Sequence, residues 1–381
     1  MNTELTLAPG EPDGSSSTSQ GRKASQRDTR HHNRGLVLRT LFAQDGLSRA
    51  DIGRLTGLTK VTVSDLIADL IEDGIVEEVG QRPGSRPGKP ATVLGVVAAG
   101  RCVVALDLSS STHVRAALVD LRGEVGAVVL SELGTPAESV DRVIAAALEV
   151  VASATTVVVG IAVGTQGTVL PDGTVAEAPR LGWRSVPLRA LLEKASGLPV
   201  VVQNDADSSA LAEQRYGGGD DTLVLLQISS GVGAGVLIEG RVYSGRSSAA
   251  GEIGHVVVED GGRACTCGKN GCLETYAAAI VLEEQITRDP ARTAEILGEA
   301  GGRIGSALAP IVGMLDLSEI VIAGPAALVA GPLLAAAAAT VHSRTRSSFR
   351  PDVRLRVSRL GEEAVLLGAG AQLLREQLAL Y

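Results

Sequence analysis

The chain has 381 residues, of which 45% are hydrophobic and 20% charged, so its length allows two or three folded domains. Aromatic side chains make up only 2%, which argues against a platform that stacks the bases of single-stranded nucleic acid. The net charge of −8 is uneven: residues 22–60 contain nine Lys or Arg and three acids, whereas residues 91–381 contain 23 basic and 31 acidic residues. A basic amino-terminal part on an acidic body is typical of a DNA-binding module joined to a domain with another task.

The amino-terminal residues 1–30 are polar and rich in Ser, Gly and Pro, so we expect a disordered tail without a secretory signal. The longest apolar run, around Leu333–Val341, is well below the ~20 residues that span a bilayer. We therefore expect a cytoplasmic protein with no membrane partner. In that compartment the four cysteines are expected to be free or bound to metal.

The next segment, residues 31–98, is predicted to be a winged helix-turn-helix DNA-binding domain. Three short helical patterns with caps and Gly stops are followed by two strands around a loop of Gly, Pro and Arg, in the order that this motif requires. The predicted elements are helices at about Asn33–Gln44, Ser48–Gly57 and Thr59–Asp73 and strands at Ile75–Val79 and Thr92–Val97.

The third helix is the predicted recognition helix, because its apolar stripe faces the first two helices and its free side is polar. Short hydroxyls and a Lys near its start suit base edges in a major groove. In the loop between the strands, Pro and Gly keep the backbone extended, and such a basic arm can enter a minor groove. For any one of these residues a solvated surface role, or contact with phosphates alone, is an open alternative. The predicted DNA-contacting residues are Thr59, Lys60, Thr62, Ser64, Arg82, Arg86 and Lys89.

From Val103 onward, apolar strands alternate with helices rich in Ala and Leu, which predicts an α/β domain over residues 99–381. Two Gly-bounded halves of similar pattern indicate two lobes with a cleft between them. The predicted strands are Val103–Leu108, Val114–Asp120, Val125–Leu130, Thr156–Ala162, Val200–Gln203, Thr222–Ile228, Ala234–Ile238, Glu319–Ile322 and Val353–Val357. The predicted helices are Ser139–Ser153, Leu188–Ala195, Asp207–Tyr216, Thr275–Thr287, Thr293–Leu315 and Leu328–Thr345.

Four potential metal ligands, His255, Cys265, Cys267 and Cys272, lie within eighteen residues and are separated by Gly residues that allow tight reversals. Three Cys and one His match a closed tetrahedral zinc site. A catalytic zinc normally keeps one position open for water, so four protein ligands predict a structural Zn²⁺. The alternative is a surface loop with free thiols. Cys102, at the start of a strand, is interpreted as a small buried hydrophobe.

Four stretches of sequence together resemble one known family. They are SRADIGRLTGLTKVTVSDLIADLIEDGIVEE with its basic loop, APRLGW with the later NDAD, the loop SGVGAG, and GEIGH with CTCGKNGCLE, which is the most specific. On these stretches the chain after residue 30 resembles the ROK family (repressors, open reading frames, sugar kinases), in its branch of transcriptional repressors. The resemblance implies an actin-like (RNase H-like), two-lobed ATPase-type fold with sugar and nucleotide sites in the cleft.

The resemblance also implies a set of sugar-binding residues. Their carboxylates and amide suit a ligand with neighbouring hydroxyls, because such a site rejects ligands that leave its polar groups unpaired. In the kinase branch Asp205 would be the general base, and His255 would serve both metal and sugar. Without the resemblance, Asn204 and Asp205 would be interpreted as a turn or helix cap after a strand. The implied sugar-binding residues are Asn204, Asp205, Glu252, His255 and Glu274.

Two phosphate loops depart from the kinase pattern of the family, and only the second loop, Ser230–Gly235, is intact. Where Asp-x-Gly-Gly-Thr is expected, Asp107 and Leu108 are followed by Ser109–Ser111, whose Cβ atoms obstruct the approach of backbone N–H groups to a phosphate. The adenosine-side loop is Ala323–Pro325, and Pro lacks a backbone donor. We therefore expect neither ATP binding nor catalysis. The segment Val163–Gly167 also lacks the Pro-Gly of sugar-binding members, which leaves the identity of the sugar open.

These expectations combine into one hypothesis. The protein is a sugar-responsive repressor of carbohydrate uptake or catabolism genes, which binds double-stranded operator DNA as a homodimer or dimer of dimers and is relieved by a small sugar effector. Two alternatives stay open. One is an active ATP-dependent sugar kinase with a DNA-binding head, and the other is a regulator whose cleft has lost sugars and responds to a phosphorylated compound or a protein.

Overall fold

A computed structural model describes residues 26–81, 91–348 and 351–380. The amino-terminal part, which we call the head, contains three helices and a three-stranded antiparallel sheet in the order β1-β3-β2. Its elements are α1 (Gln26–Ala43), β1 (Leu47–Ser48), α2 (Arg49–Thr56), α3 (Lys60–Glu72), β2 (Val76–Gln81) and β3 (Thr92–Val96). Helix α1 begins at Gln26, so residues 26–30, predicted to be disordered, are helical. The predicted loop contacts Arg82, Arg86 and Lys89 lie outside the described residues.

Local capping sets the limits of α2 and α3. The hydroxyl of Ser48 accepts a hydrogen bond from the backbone N–H of Asp51 (3.3 Å), and the Asp51 carboxylate accepts one from the backbone N–H of Ser48 (3.0 Å). Helix α2 ends at Gly57, whose φ of +71° suits glycine, and Thr59 caps α3. The described part of the head therefore has the helix, helix, turn, helix, strand order that the sequence predicts.

The first lobe of the body is built on a five-stranded sheet in the order β11-β7-β4-β5-β6, and a small sheet, β10-β9-β8, is inserted into it. Strands β11, β7 and β4 are parallel, and β5 and β6 are antiparallel additions. The elements are β4 (Arg101–Leu108), β5 (His113–Asp120), β6 (Val129–Glu132), α4 (Pro136–Ser153), β7 (Val157–Thr165), β8 (Thr168–Val169), β9 (Val175–Ala178), β10 (Trp183–Val186), α5 (Leu188–Ser196), β11 (Val200–Asn204) and α6 (Asp205–Tyr216).

The second lobe repeats this plan with the order β14-β13-β12-β15-β16, in which β12, β15 and β16 are parallel. Two sheets of the same strand order confirm the predicted actin-like architecture. The elements are β12 (Leu223–Ile228), β13 (Val232–Ile238), β14 (Arg241–Val242), α7 (Glu274–Ala277), α8 (Ala279–Arg288), α9 (Thr293–Leu315), β15 (Glu319–Ala323), α10 (Ala326–Val329), α11 (Pro332–Thr345), β16 (Arg354–Val357) and α12 (Ala364–Leu378).

Several element limits differ from the predictions. The strand predicted at Val125–Leu130 is β6, at Val129–Glu132. Two predicted helices are interrupted: one divides at Ala278 into α7 and α8, and the other divides before Pro332 into α10 and α11. The second break is explained by proline, which suits the first turn of a helix but not its interior. The small inserted sheet and α12 were not predicted.

Helices α6 and α12 each cross to the opposite lobe. Helix α6 follows the last strand of the first sheet but packs on β12 and β13, whereas α12 follows the second sheet but packs on β4 and β7. The two helices also pack tightly on each other at Gly368, where a Cβ atom would lie 1.7 Å from the carbonyl oxygen of Ser208. Because each lobe holds a helix of the other, a relative movement of the lobes has to move both helices.

The end of α6 is anchored in the second lobe by a buried ionic cluster. Glu213 on α6 and Glu319 on β15 are both fully buried. The guanidinium of Arg356 on β16 lies 2.7 Å from the Glu213 carboxylate and donates a hydrogen bond of 2.8 Å to that of Glu319. Buried carboxylates require such partners, so the cluster fixes the position of α6 between the sheets.

One apolar core joins the head to the first lobe and α12. It includes Leu38 and Leu70 of the head together with Leu373 and Leu380 at the carboxyl end of the chain, all of them fully buried. Next to this core, Arg39 of α1 donates a hydrogen bond of 2.9 Å to the carbonyl oxygen of Ala379. The head is therefore packed on the end of α12. None of the helices within the described ranges combines the length and apolar character that a membrane crossing needs.

Candidate functional site

A cleft of about 590 Å³ lies between the two lobes, and all five residues for which a sugar role was implied line it. Asn204 and Asp205 come from the junction of β11 and α6. Glu252 and His255 come from the segment between β14 and α7, and Glu274 is the first residue of α7. The structure thus brings together side chains that are up to 70 residues apart in sequence, while their role in sugar binding stays a prediction.

Asn204 is the N-cap of α6, as its sequence alone favoured. Its Oδ1 accepts hydrogen bonds from the backbone N–H groups of Ala206 (2.8 Å) and Asp207 (3.2 Å). Its Nδ2 donates a hydrogen bond of 3.0 Å to the carbonyl oxygen of Gly167. The cap holds the start of the helix against the loop after β7, and one amide proton is left for a ligand.

Asp205 is a buried carboxyl group at the base of the cleft. Burial, and secondarily the nearby carboxylate of Asp107, raise its pKa from 3.8 to about 6. The neighbouring Asp207 is also buried, and burial together with Asp205 raises its pKa to about 7. Asp207 is not among the residues that line the cleft. The two carboxyl groups therefore share a buried environment, but only Asp205 is placed to meet a ligand.

His255, Cys265, Cys267 and Cys272 form a compact cluster whose ligand atoms all lie within 4.8 Å of one another. The Sγ atoms of Cys267 and Cys272 are 3.6 Å apart, and Sγ of Cys265 is 3.5 Å from Nδ1 of His255. Tetrahedral zinc with bonds of about 2.3 Å to sulfur requires S–S separations of about 3.8 Å. The donor set and its spacing therefore fit a metal ion, with zinc as the best match.

The imidazole of His255 connects this cluster to the cleft. Its Nδ1 faces the thiol of Cys265, whereas its Nε2 lies 3.8 Å from the carboxylate of Glu252, which also lines the cleft. A metal on one ring nitrogen fixes the orientation of the ring, so the other nitrogen is held toward a ligand. The predicted double role of His255 is thus compatible with the geometry.

Sequence reasoning missed Arg180, although its segment APRLGW was noted. Arg180 lies in a short turn between β9 and β10, and its guanidinium is 3.6 Å from the carboxylate of Glu274. Both residues line the cleft but belong to different lobes. The pair therefore bridges the cleft, and no local pattern could have revealed it because the partners are far apart in sequence.

The loop after β4, at the place of the kinase phosphate loop, has its own internal contacts. The carboxylate of Asp107 accepts a hydrogen bond from the backbone N–H of Ser109 (2.9 Å) and lies 3.4 Å from the guanidinium of Arg115. Arg115 also contacts the carbonyl oxygen of Glu362, just before α12. The Asp107 carboxylate is thus already paired with a cation of the protein.

The start of α3 exposes the residues predicted to read DNA, with differences among them. Lys60 and Thr59 are exposed, and Thr62 and Ser64 are half-buried. The hydroxyls of Thr59 and Thr62 lie 2.9 Å apart, so they hydrogen-bond to each other. Val61 is 69% exposed, which is unusual for an apolar side chain and suits a methyl contact with thymine.

These features define a two-lobed protein of the actin-like class with an inter-lobe cleft, a metal-ligand cluster and a winged-helix head. The family model described as "ROK family" matches residues 103–376. The chain therefore belongs to the ROK family.

Three similar proteins show both branches of this family. A xylose repressor of Caldicellulosiruptor bescii is 27% identical over 390 residues, which cover 91% of this chain and 96% of the repressor. The crystal structure of a ROK family transcriptional regulator, a homolog of the E. coli MLC protein, is 25% identical with a TM-score of 0.81, covering 92% of this chain and 96% of its own. A ROK family glucokinase from Streptomyces griseus, in complex with glucose and AMPPNP, is 25% identical with a TM-score of 0.63, covering 71% and 98%.

Proposed function

We propose that this protein is a DNA-binding transcriptional regulator, a repressor that an uncharged sugar bound in the inter-lobe cleft releases from its operator. Asn204, Asp205, Glu252, His255 and Glu274 bind the sugar hydroxyls, and α3 reads the major groove. A structural Zn²⁺ held by His255 and the three clustered Cys residues stabilises the segment that forms the second-lobe side of the cleft. The protein acts as a homodimer or dimer of dimers, so that two heads engage a palindromic operator.

The observation that carries this proposal is the shared core of the head and α12. Asp205 lies at the start of α6, α6 packs on α12, and the end of α12 packs on the head. A ligand that changes the angle between the lobes therefore displaces the surface on which the head rests. The ligand has to bind one of the two lobe arrangements more tightly than the other. A 100-fold preference supplies about 2.7 kcal/mol, which strongly shifts an equilibrium between two equally populated arrangements.

Several features of the nucleotide side favour a regulator over a kinase. The Asp107 carboxylate, next to Asp205, is paired with the guanidinium of Arg115 and accepts a hydrogen bond from the N–H of Ser109, so it offers little to a magnesium nucleotide. Ser109 replaces a glycine whose backbone would approach a phosphate. The chain is covered to 91% by a repressor and to 92% by a transcriptional regulator, but only to 71% by the glucokinase.

The decisive experiment measures operator affinity and sugar affinity on the same protein. Fluorescence anisotropy with the DNA upstream of the gene reports operator binding, with and without xylose, glucose and related sugars. We expect one sugar to weaken operator binding at least tenfold. The Asp205→Asn variant should keep operator affinity and lose the response, whereas Asp207→Asn, the control outside the cleft, should keep both.

Two results would overturn the proposal. One is a wild-type protein whose operator affinity is unchanged by every sugar it binds. The other is steady phosphorylation of a sugar in a coupled ATP assay that Asp205→Asn abolishes, which would make the protein a kinase with a DNA-binding head.

A further inference from the structure

The ion pair between Arg180 and Glu274 joins the two lobes without a hydrogen bond. The distance of 3.6 Å between the guanidinium and the carboxylate exceeds the about 2.7–2.9 Å of a charge-assisted hydrogen bond. The Arg180 guanidinium donates no hydrogen bond to the part of the chain that the structure describes, and Glu274 accepts only a weak contact of 3.9 Å from the thiol of Cys265. Both side chains line the cleft, with 38% and 16% of their surface exposed. Each therefore keeps hydrogen-bonding capacity for a ligand.

The first-lobe side of this pair has a firmly anchored backbone. Arg180 lies in the turn Pro179–Leu181, and the side chain of Leu181 is buried in the core of the first lobe. Trp183, just after the turn, is also buried, and its indole N–H donates a hydrogen bond of 2.7 Å to the hydroxyl of Ser139. The guanidinium thus reaches the cleft from a fixed base, which is what a ligand contact requires.

On the second-lobe side, the pair lies against a loop that has no side chain at the point of contact. Glu274 begins α7, two residues after Cys272 of the metal-ligand cluster. Gly231, between β12 and β13, faces both charged groups. A Cβ atom at this position would lie 2.5 Å from Oε2 of Glu274 and 3.6 Å from Nη2 of Arg180. The glycine therefore leaves the space beside the pair open to the cleft.

The charges of the cleft decide which chemical group fits between the two partners. Of the cleft-lining residues that the structure describes, Arg180 is the only Lys or Arg, while Glu177, Asp205, Glu252 and Glu274 are acidic. A guanidinium only donates hydrogen bonds, and an ionised carboxylate only accepts them. A hydroxyl does both, so it can accept from Arg180 and donate to Glu274. A carboxylate or phosphate only accepts, and it would be repelled by the neighbouring acidic groups.

We propose that Arg180 makes sugar binding depend on the arrangement of the lobes. One hydroxyl of the bound sugar accepts a hydrogen bond from Arg180 of the first lobe and donates one to Glu274 of the second. Both bonds form together only when the cleft is closed, so this hydroxyl stabilises the closed arrangement and not an open one. A ligand shifts an equilibrium only through such a difference in affinity. This inference rests on the proposed function, because it names the contact through which the sugar of that site acts.

The Arg180→Met variant tests this role in the full-length protein, because it keeps the length of the side chain and removes its donors. The measured quantity is the factor by which saturating xylose or glucose weakens operator binding in fluorescence anisotropy. We expect a factor of at least ten for the wild type and below three for Arg180→Met, with part of the response restored in Arg180→Lys. Arg184→Met is the matched control and should respond fully, because Arg184 pairs with Glu177 (2.8 Å) within the first lobe.

Calorimetric titration identifies the contact itself. The probes are xylose, glucose and the monodeoxy analogues of each. One missing hydroxyl should weaken binding to the wild type at least tenfold, and the same change should have less than a threefold effect on Arg180→Met. A merely structural role of Arg180 would weaken the binding of all analogues alike, whereas a direct contact couples the variant to one hydroxyl.

The outcomes separate this inference from the proposed function. If saturating sugar releases the operator from Arg180→Met as fully as from the wild type, the inference is overturned and the proposed function stands. If Arg180 is coupled to one hydroxyl but no sugar changes the operator affinity of the wild type, the contact is supported and the proposed function is overturned. Tighter binding of glucuronate than of glucose, or a wild type that binds neither xylose nor glucose, overturns both.

Discussion

Replacing the two buried aspartates at the start of α6 by asparagine should stabilise the protein at alkaline pH. Asp205 has its pKa raised to about 6 and Asp207 to about 7, both from 3.8, mainly by burial. A carboxyl group whose pKa is higher in the folded state disfavours folding when it is ionised. This penalty is complete above the folded-state pKa, shrinks as the pH falls through it, and vanishes below the unfolded-state value.

The size of the effect follows from the shift. One pKa unit corresponds to 1.36 kcal/mol, so a shift of about 2 units at Asp205 represents at most about 3 kcal/mol at pH 8. Part of the rise in the Asp205 pKa comes from the negative charge of Asp107. The amide of the introduced asparagine also needs hydrogen-bond partners of its own. We therefore expect Asp205→Asn to raise the free energy of unfolding by about 1–3 kcal/mol at pH 8.

Urea unfolding of wild-type protein, Asp205→Asn and Asp207→Asn at pH 8, 6 and 4.5 measures this gain. Both variants should be more stable than wild type at pH 8, and the difference should fall steadily toward pH 4.5. Effects of pH on the rest of the molecule are common to all three proteins, so only differences between them are compared. A variant no more stable than wild type at pH 8, or a gain that does not change with pH, would refute the reasoning.

Four further changes test other parts of the structure. Cys272→Ser should lose bound zinc, measured by elemental analysis, and lower the melting temperature, whereas Cys102→Ser should keep the metal. Lys60→Ala should weaken operator binding and reduce its salt dependence while the sugar Kd is unchanged. Leu380→Ala should lower the free energy of unfolding by about 2–5 kcal/mol. It should also weaken the effect of sugar on operator affinity more than it weakens the sugar affinity. Equal losses of the two would contradict coupling through α12. Arg356→Ala should destabilise by about 3 kcal/mol, because the buried carboxylate of Glu213 loses its cation and keeps the hydroxyl of Ser358, whereas Glu319 keeps Arg354.

The head and the metal cluster could be predicted from the sequence because their signals are local. Ser48, Gly57 and Thr59 are caps and stops that act within a few residues, and the cysteine spacing brings the ligands together in one loop. The start of α1 was placed too late, because residues 26–32 are polar and basic and show no apolar stripe. Their helix is held by packing and ion pairs such as Arg30 with Asp69 of α3.

Helix α12 escaped prediction because it has no apolar stripe to detect. Ten residues between Ala364 and Leu374 are buried, on all sides of the helix, as it lies between the first sheet and α6. Helix α6 presents the opposite case. Its sequence, DADSSALAEQRY, is largely polar, yet residues 205–213 are buried. The burial of α6 and of α12 cannot be inferred from a local sequence pattern, because each of these helices packs on the sheet of the opposite lobe.

In the proposed function, the polar interior of α6 gives the cleft its capacity to respond to a ligand. An apolar helix between the lobes would be more stable, but nothing in it would distinguish a filled cleft from an empty one. Asp205 instead carries a charge whose hydration has been lost, and the hydroxyls of the proposed sugar would restore part of that hydration. This gain in binding free energy requires that the lobes bring both sides of the site together, so ligand binding would favour one angle between the lobes. Through the contact at Gly368 and the end of α12, the same movement would reach the head.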